Sequence, residues 1–140
     1  MTMTDPASLD FDLCFFRLRV EDLDRMTKFY EDVFGMVVNV REKHPQFEEN
    51  TLKAPAGRET ILALTKLLDG EPVAIGVAHT VGILTTDVAA ACENVLQCGG
   101  SIVSELTFPG GRVAVVKDPE GHSIEILHLD GGEVVLPDEL

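Results

Sequence analysis

The chain has 140 residues, 45% hydrophobic and 25% charged, the balance of one ordinary globular domain with a real core and not of a disordered segment. Its formal charge of −13 at pH 7 argues against sequence-independent attachment to nucleic acid or to an anionic membrane, both of which reward clustered Lys and Arg. Three cysteines (Cys14, Cys92 and Cys98) are an odd number without metal-type or disulfide-framework spacing, so reduced, mostly packed thiols are expected.

Met1 to Asp12 is polar and acidic, with neither a basic n-region nor an apolar h-region, so no signal peptide is expected there. No apolar run approaches the roughly 20 residues that span a bilayer, and a cytoplasmic protein is expected. Phe11 to Val20 is apolar and β-prone, with Arg17 and Arg19 two apart, which predicts a strand. Asp22 then offers an N-cap, and Leu23, Met26, Phe29, Tyr30 and Val33 recur at helical spacing before Gly35, a C′ residue. Met36 to Val40 resumes as a strand, and the polar stretch Glu42 to Asn50 predicts a loop with a short strand. Glu59 to Lys66 is the next strand, followed by a loop from Leu68 to Val73 with an Asp69-Gly70 turn signal and Pro72.

The pattern then restarts. His79 to Thr85 predicts a strand, Asp87 an N-cap, and Val88, Ala91, Cys92, Val95 and Leu96 an apolar helical stripe closed by Gly99-Gly100. Ser101 to Leu106, Arg112 to Lys117 and Ser123 to His128 predict three strands, the last two joined by the turn Asp118-Pro119-Glu120-Gly121. Asp130 to Leu140 is an acidic tail with a possible edge strand at Val134-Val135. Asp22-Leu23 answers Asp87-Val88 and Gly35 answers Gly100, both at an offset of 65 residues. Two βαβββ units, about 11–66 and 79–128, are therefore expected to pair within one α+β domain spanning 1–140. They would form a curved mixed sheet around a pocket, with helices on the outer face.

Val20-Glu21-Asp22-Leu23-Asp24-Arg25, then Phe29-Tyr30, then Phe34-Gly35-Met36, and finally Asp118-Pro119-Glu120-Gly121-His122-Ser123-Ile124-Glu125-Ile126 carry a resemblance. They are similar to the opening and closing signatures of the glyoxalase / bleomycin-resistance / extradiol-dioxygenase group, the vicinal-oxygen-chelate superfamily. The resemblance runs over roughly residues 12 to 128. It implies a curved sheet with the pocket inside. In metal-dependent members it also implies a divalent ion held by three or four His, Glu or Gln residues on different strands, with positions left for substrate oxygens.

A gapless overlay on the glyoxalase pattern puts Phe15, Ala63, Val81 and Glu125 at the four ligand positions. Only Glu125 is a ligand type, so the expectation is no metal site and no cofactor. His79, two residues before Val81, would sit roughly 6.6 Å further along the strand. Arg19 matches the arginine that holds the carboxylate end of glutathione in glutathione-using members, but the partner asparagine position is Leu67. Glu125 is the candidate base or anchor, with Arg17 or Arg19 as its expected cation. His122 is expected to be a surface residue of the turn.

The leading expectation is a protein with a degenerate metal site binding a small, partly apolar molecule, neutral or anionic, through Phe15, Arg17, Arg19, Ala63, Val81 and Glu125. The alternatives are a lyase, isomerase or epimerase with Glu125 as base, or a metal-dependent lyase like glyoxalase I. Whether catalysis occurs is open at this point. A homodimer is expected, as family members commonly build their pockets across paired modules.

Overall fold

The computed structural model describes residues 3–11, 15–56, 59–75 and 79–131. Residues 12–14 of the predicted opening strand, Cys14 among them, and the predicted edge strand at Val134-Val135 lie outside them. After a single 3-10 turn at Pro6–Leu9, the first module runs β1 (Phe15–Arg19), α1 (Leu23–Phe34), β2 (Val37–Lys43), β3 (Phe47–Lys53) and β4 (Ile61–Leu67). The second runs β5 (Thr80–Leu84), α2 (Val88–Gln97), β6 (Ser101–Phe108), β7 (Gly111–Lys117) and β8 (Ser123–Leu129). Each module forms a four-stranded sheet, in the orders β1-β4-β3-β2 and β5-β8-β7-β6. The outer strand pairs parallel in each case, β1 with β4 and β5 with β8, and the remaining pairs are antiparallel.

Local chemistry sets the helix ends. The Asp22 carboxylate accepts from the Arg25 N–H and the Asp87 carboxylate from the Ala90 N–H, each satisfying a donor that the first helical turn leaves free. Gly35 ends α1 with φ +66°, in the left-handed region. The helices bury Leu23, Met26, Phe29, Tyr30 and Val33 from α1 and Val88, Cys92 and Val95 from α2. These pack with Leu18, Leu52, Leu62 and Leu64 of the first sheet and Val81, Ala114, Val116, Ile124 and Ile126 of the second in one hydrophobic cluster. Each sheet thus has a helix-covered face and an open face.

The polar stretch after β2 is a full strand, β3, and not the loop with a short strand that its composition predicts. Its pairing with both β2 and β4 outweighs the weak β-propensity of Glu48, Glu49 and Asn50. The module repeat extends to single positions. Phe15, Arg17 and Arg19 correspond to Thr80, Gly82 and Leu84 at the same offset of 65, while Leu62, Ala63 and Leu64 correspond to Ile124, Glu125 and Ile126 at 62.

Candidate functional site

Strand alternation sorts side chains onto the open faces. On β8, Ile124 and Ile126 are fully buried under the helix, so Glu125 between them points the other way and is exposed. It pairs in register with Gly82 on β5 and Val115 on β7. On the first sheet the equivalent line is Arg17, Ala63 and Thr51, flanked by the line Arg19, Thr65 and Glu49. There Arg17 Nε donates to Glu49 Oε2 at 3.2 Å and to Thr65 Oγ1 at 3.1 Å. The Thr65 hydroxyl in turn donates to the same carboxylate oxygen. Glu49 is buried, whereas the Arg17 side chain is 46% exposed and its guanidinium carbon lies 5.0 Å from the Phe15 ring centroid.

The modules meet at the β7–β8 turn. Glu120 accepts from the backbone N–H groups of Glu21 and Asp22, and Tyr30 Oη donates to Asp118 Oδ2 at 2.9 Å. His122 lies between Asp118 Oδ2, 2.7 Å from Nδ1, and the Arg19 carbonyl, 2.9 Å from Nε2. Burial pushes the imidazole pKa down, but the hydrogen bond and charge of Asp118, helped by the Arg19 carbonyl, outweigh it and leave it raised. Burial, then the charge of Asp118, pushes the Tyr30 hydroxyl well up. Beside this seam, a cavity of about 790 Å³ is lined by Arg17, Arg19, Lys66, His79 and His122 together with the loop Asp69 to Ile75. Its cations Arg17, Arg19 and Lys66 stand among the carboxylates of Glu21, Asp69 and Glu71.

Several expectations change. Val81 is packed in the hydrophobic core; the open face of β5 is formed by Thr80 and Gly82. The gapless overlay is one residue out of register there, whereas the 65-residue repeat pairs Phe15 with Thr80. Arg17 is held by Glu49 and not by Glu125, and Glu125 makes no ion pair among the described residues. His122 is buried at the seam and is not a surface residue of the turn. Phe15, Ala63 and Arg19 lie on the open face of the first sheet, and His79 is exposed at the cavity rim. Glu49 was missed because polar residues on both sides of β3 hide its alternation.

Paired βαβββ modules with helices on one face and polar residues gathered on the other define a vicinal-oxygen-chelate protein. The chain belongs to the Glyoxalase/Bleomycin resistance protein/Dioxygenase superfamily, whose profile matches residues 13–126. It is 31% identical over 123 residues to a lactoylglutathione lyase of Neisseria meningitidis, covering 83% of this chain and 89% of that one. To that of Salmonella typhimurium it is 34% identical over 117 residues, covering 79% and 87%. The trypanothione-dependent glyoxalase I of Leishmania major superposes with a TM-score of 0.72 at 27% identity, over 85% of this chain and 87% of that one. Glyoxalase I from Zea mays gives 0.71 at 29% identity over 82% of this chain, which spans only 45% of the maize chain. Among the described residues no helix is long and apolar enough to cross a membrane.

These comparisons correct the expectation of no divalent metal. The relatives are lactoylglutathione lyases and glyoxalases I, the members for which the resemblance implies a metal ion. The gapless register also put Val81 on the wrong face. Among the described residues the family's ligand set is not complete. Phe15, Ala63, Thr80 and Gly82 bring no imidazole or carboxylate to Glu125, and Glu49 is already engaged by Arg17 and Thr65. Among the described residues no three His, Cys, Asp or Glu gather closely enough to hold a metal ion. Glu125 is the residue that would contribute to one, as a carboxylate ligand.

Proposed function

We propose that the protein is a lyase or isomerase of the glyoxalase I type, acting on a small anionic thioester and its hemithioacetal isomer, with Glu125 as base. The observation that carries this reading is Glu125 itself, an exposed carboxylate without an ion pair among the described residues, centred on the open face of the second sheet. The names of the relatives supply the substrate class. Such a carboxylate takes the proton from the carbon beside a carbonyl and returns it to the adjoining carbon, while the hydroxyl proton changes oxygens, so no atom is gained or lost. Arg17 and Arg19, with Lys66 at the cavity, neutralise the substrate's carboxylates. Phe15, Ala63 and the apolar residues of the faces contact its carbon skeleton. Residues 1–140 act as one cytoplasmic domain, paired with a second copy.

A second reading, binding without turnover as in bleomycin-resistance-type members, is favoured by Phe15 and Ala63 standing where the resemblance implies ligating residues. Thioester formation from glutathione and a 2-oxoaldehyde, followed by ultraviolet absorbance with divalent metals supplied, separates the two. Turnover should fall by about 100-fold or more in Glu125→Gln, within the range for loss of a general base. Undiminished turnover in that variant removes Glu125 as base. Binding without turnover in the parent leaves the second reading.

A further inference from the structure

We infer that Glu49 is a positioning residue that turns Arg17 into a carboxylate-reading fork on the open face of the first sheet, an inference resting on the reading above that the ligand is anionic. A guanidinium has five N–H donors in one plane. Among the described residues only the Nε–H of Arg17 is engaged, by Glu49 Oε2 and Thr65 Oγ1. Glu49 reaches this place from the neighbouring line of the same face, on β3, is 8% exposed, and is held in turn by the Thr65 hydroxyl. Phe15 supports the guanidinium plane from one side. With Nε–H engaged by a buried acceptor and the guanidinium held against a ring, the two Nη groups keep a free edge on a half-exposed side chain that borders the cavity. That edge matches a carboxylate in bidentate geometry, which a flexible ammonium does not.

The ligand class is therefore a small molecule with a free carboxylate, read by the oriented Arg17 guanidinium and not by charge alone.

Calorimetric titration with glutathione and with its diethyl ester tests this in the parent, Glu49→Ala, Glu49→Gln, Arg17→Ala and Arg17→Lys. The parent should bind the acid at least about 10-fold more tightly than the ester, the scale of a strong charge-assisted hydrogen bond. Arg17→Ala, Arg17→Lys and Glu49→Ala should lose that preference. Glu49→Gln should keep it, because the amide oxygen still accepts from Nε, and should bind the acid as tightly as the parent or more so. If Glu49 merely cancelled the charge of Arg17, Glu49→Ala would tighten acid binding as well, and that result overturns the inference. Should Glu49→Ala fail to fold by circular dichroism, Arg17→Lys decides, and undiminished preference there overturns it. No acid preference in a parent whose turnover needs Glu125 removes the fork and spares the lyase. An acid preference dependent on Arg17 and Glu49, with turnover intact in Glu125→Gln, does the reverse, and binding of neither form removes both.

Discussion

At the seam between the modules, both ring nitrogens of His122 face acceptors, the Asp118 carboxylate and the Arg19 carbonyl. Two acceptors favour a proton on each ring nitrogen, which raises the imidazole pKa in the folded state. Around it stand the Asp118 and Glu120 carboxylates and the Tyr30 hydroxyl, and the two carboxylates favour the charged ring. Because the folded pKa is raised, this stability is complete below the unfolded value of about 6.5 and is lost as pH rises through the folded value. Thermal midpoints measured from about pH 6 to 9 should therefore fall more steeply for the parent than for His122→Asn. Parallel profiles would remove the imidazolium from the seam. His122→Ala should cost about 2 kcal/mol, as expected when charged hydrogen-bond partners are left buried. A histidine in a Pro-Glu-Gly turn looks solvated in the sequence, because nothing local reveals that this turn docks on the end of β1 and the start of α1.

Among elements, legibility followed periodicity. The helices carried caps and apolar stripes on one face, and β4 and β8 carried runs of branched residues, so both were readable. β3 was not, because Glu49, Asn50 and Thr51 are polar on both faces, and two of them meet a partner only after folding: Glu49 meets Arg17 and Asn50 meets Thr27. The register of β5 was lost for a related reason, since Thr80, Gly82 and Leu84 present no polar-apolar alternation against Val81 and Ile83. The glycines at the element ends offer a quantitative check. A Cβ on Gly100 would stand 2.6 Å from the Lys117 carbonyl oxygen and 2.6 Å from a Val95 methyl, so α2 and β7 approach too closely for a side chain there. Gly100→Ala should lower stability by about 1–3 kcal/mol in urea titration, an overpacking cost. Gly82→Ala, which meets nothing within 4 Å, should change it by less than about 0.5 kcal/mol. Equal effects would show that the packing between α2 and β7 has slack.

At the level of the whole molecule, the open faces carry more apolar surface than water favours. Phe15, Val37 and Val40 are exposed on the first sheet, and Leu84 and Leu129 on the second. Single exposed residues are ordinary, but rows of them on two adjoining faces are the mark of a covered surface. Sedimentation velocity at micromolar concentration should show a homodimer, and a species of 15.2 kDa would reject it. The family and the carboxylate at Glu125 were readable from two motifs. The cationic side of the site was readable only as Arg17 and Arg19, without the buried acceptor that orients one of them. The internal repeat has a consequence for how such a molecule diversifies. Matching core positions have stayed apolar, Leu18 with Ile83, Leu62 with Ile124 and Leu64 with Ile126, while matching open-face positions have parted, Arg17 with Gly82 and Ala63 with Glu125. One hydrophobic plan is thus written twice and decorated twice, cation on one half and carboxylate on the other. Selection can revise either half's chemistry without unsettling the plan beneath it, so new ligand preferences lie a few surface substitutions away while the scaffold stays still.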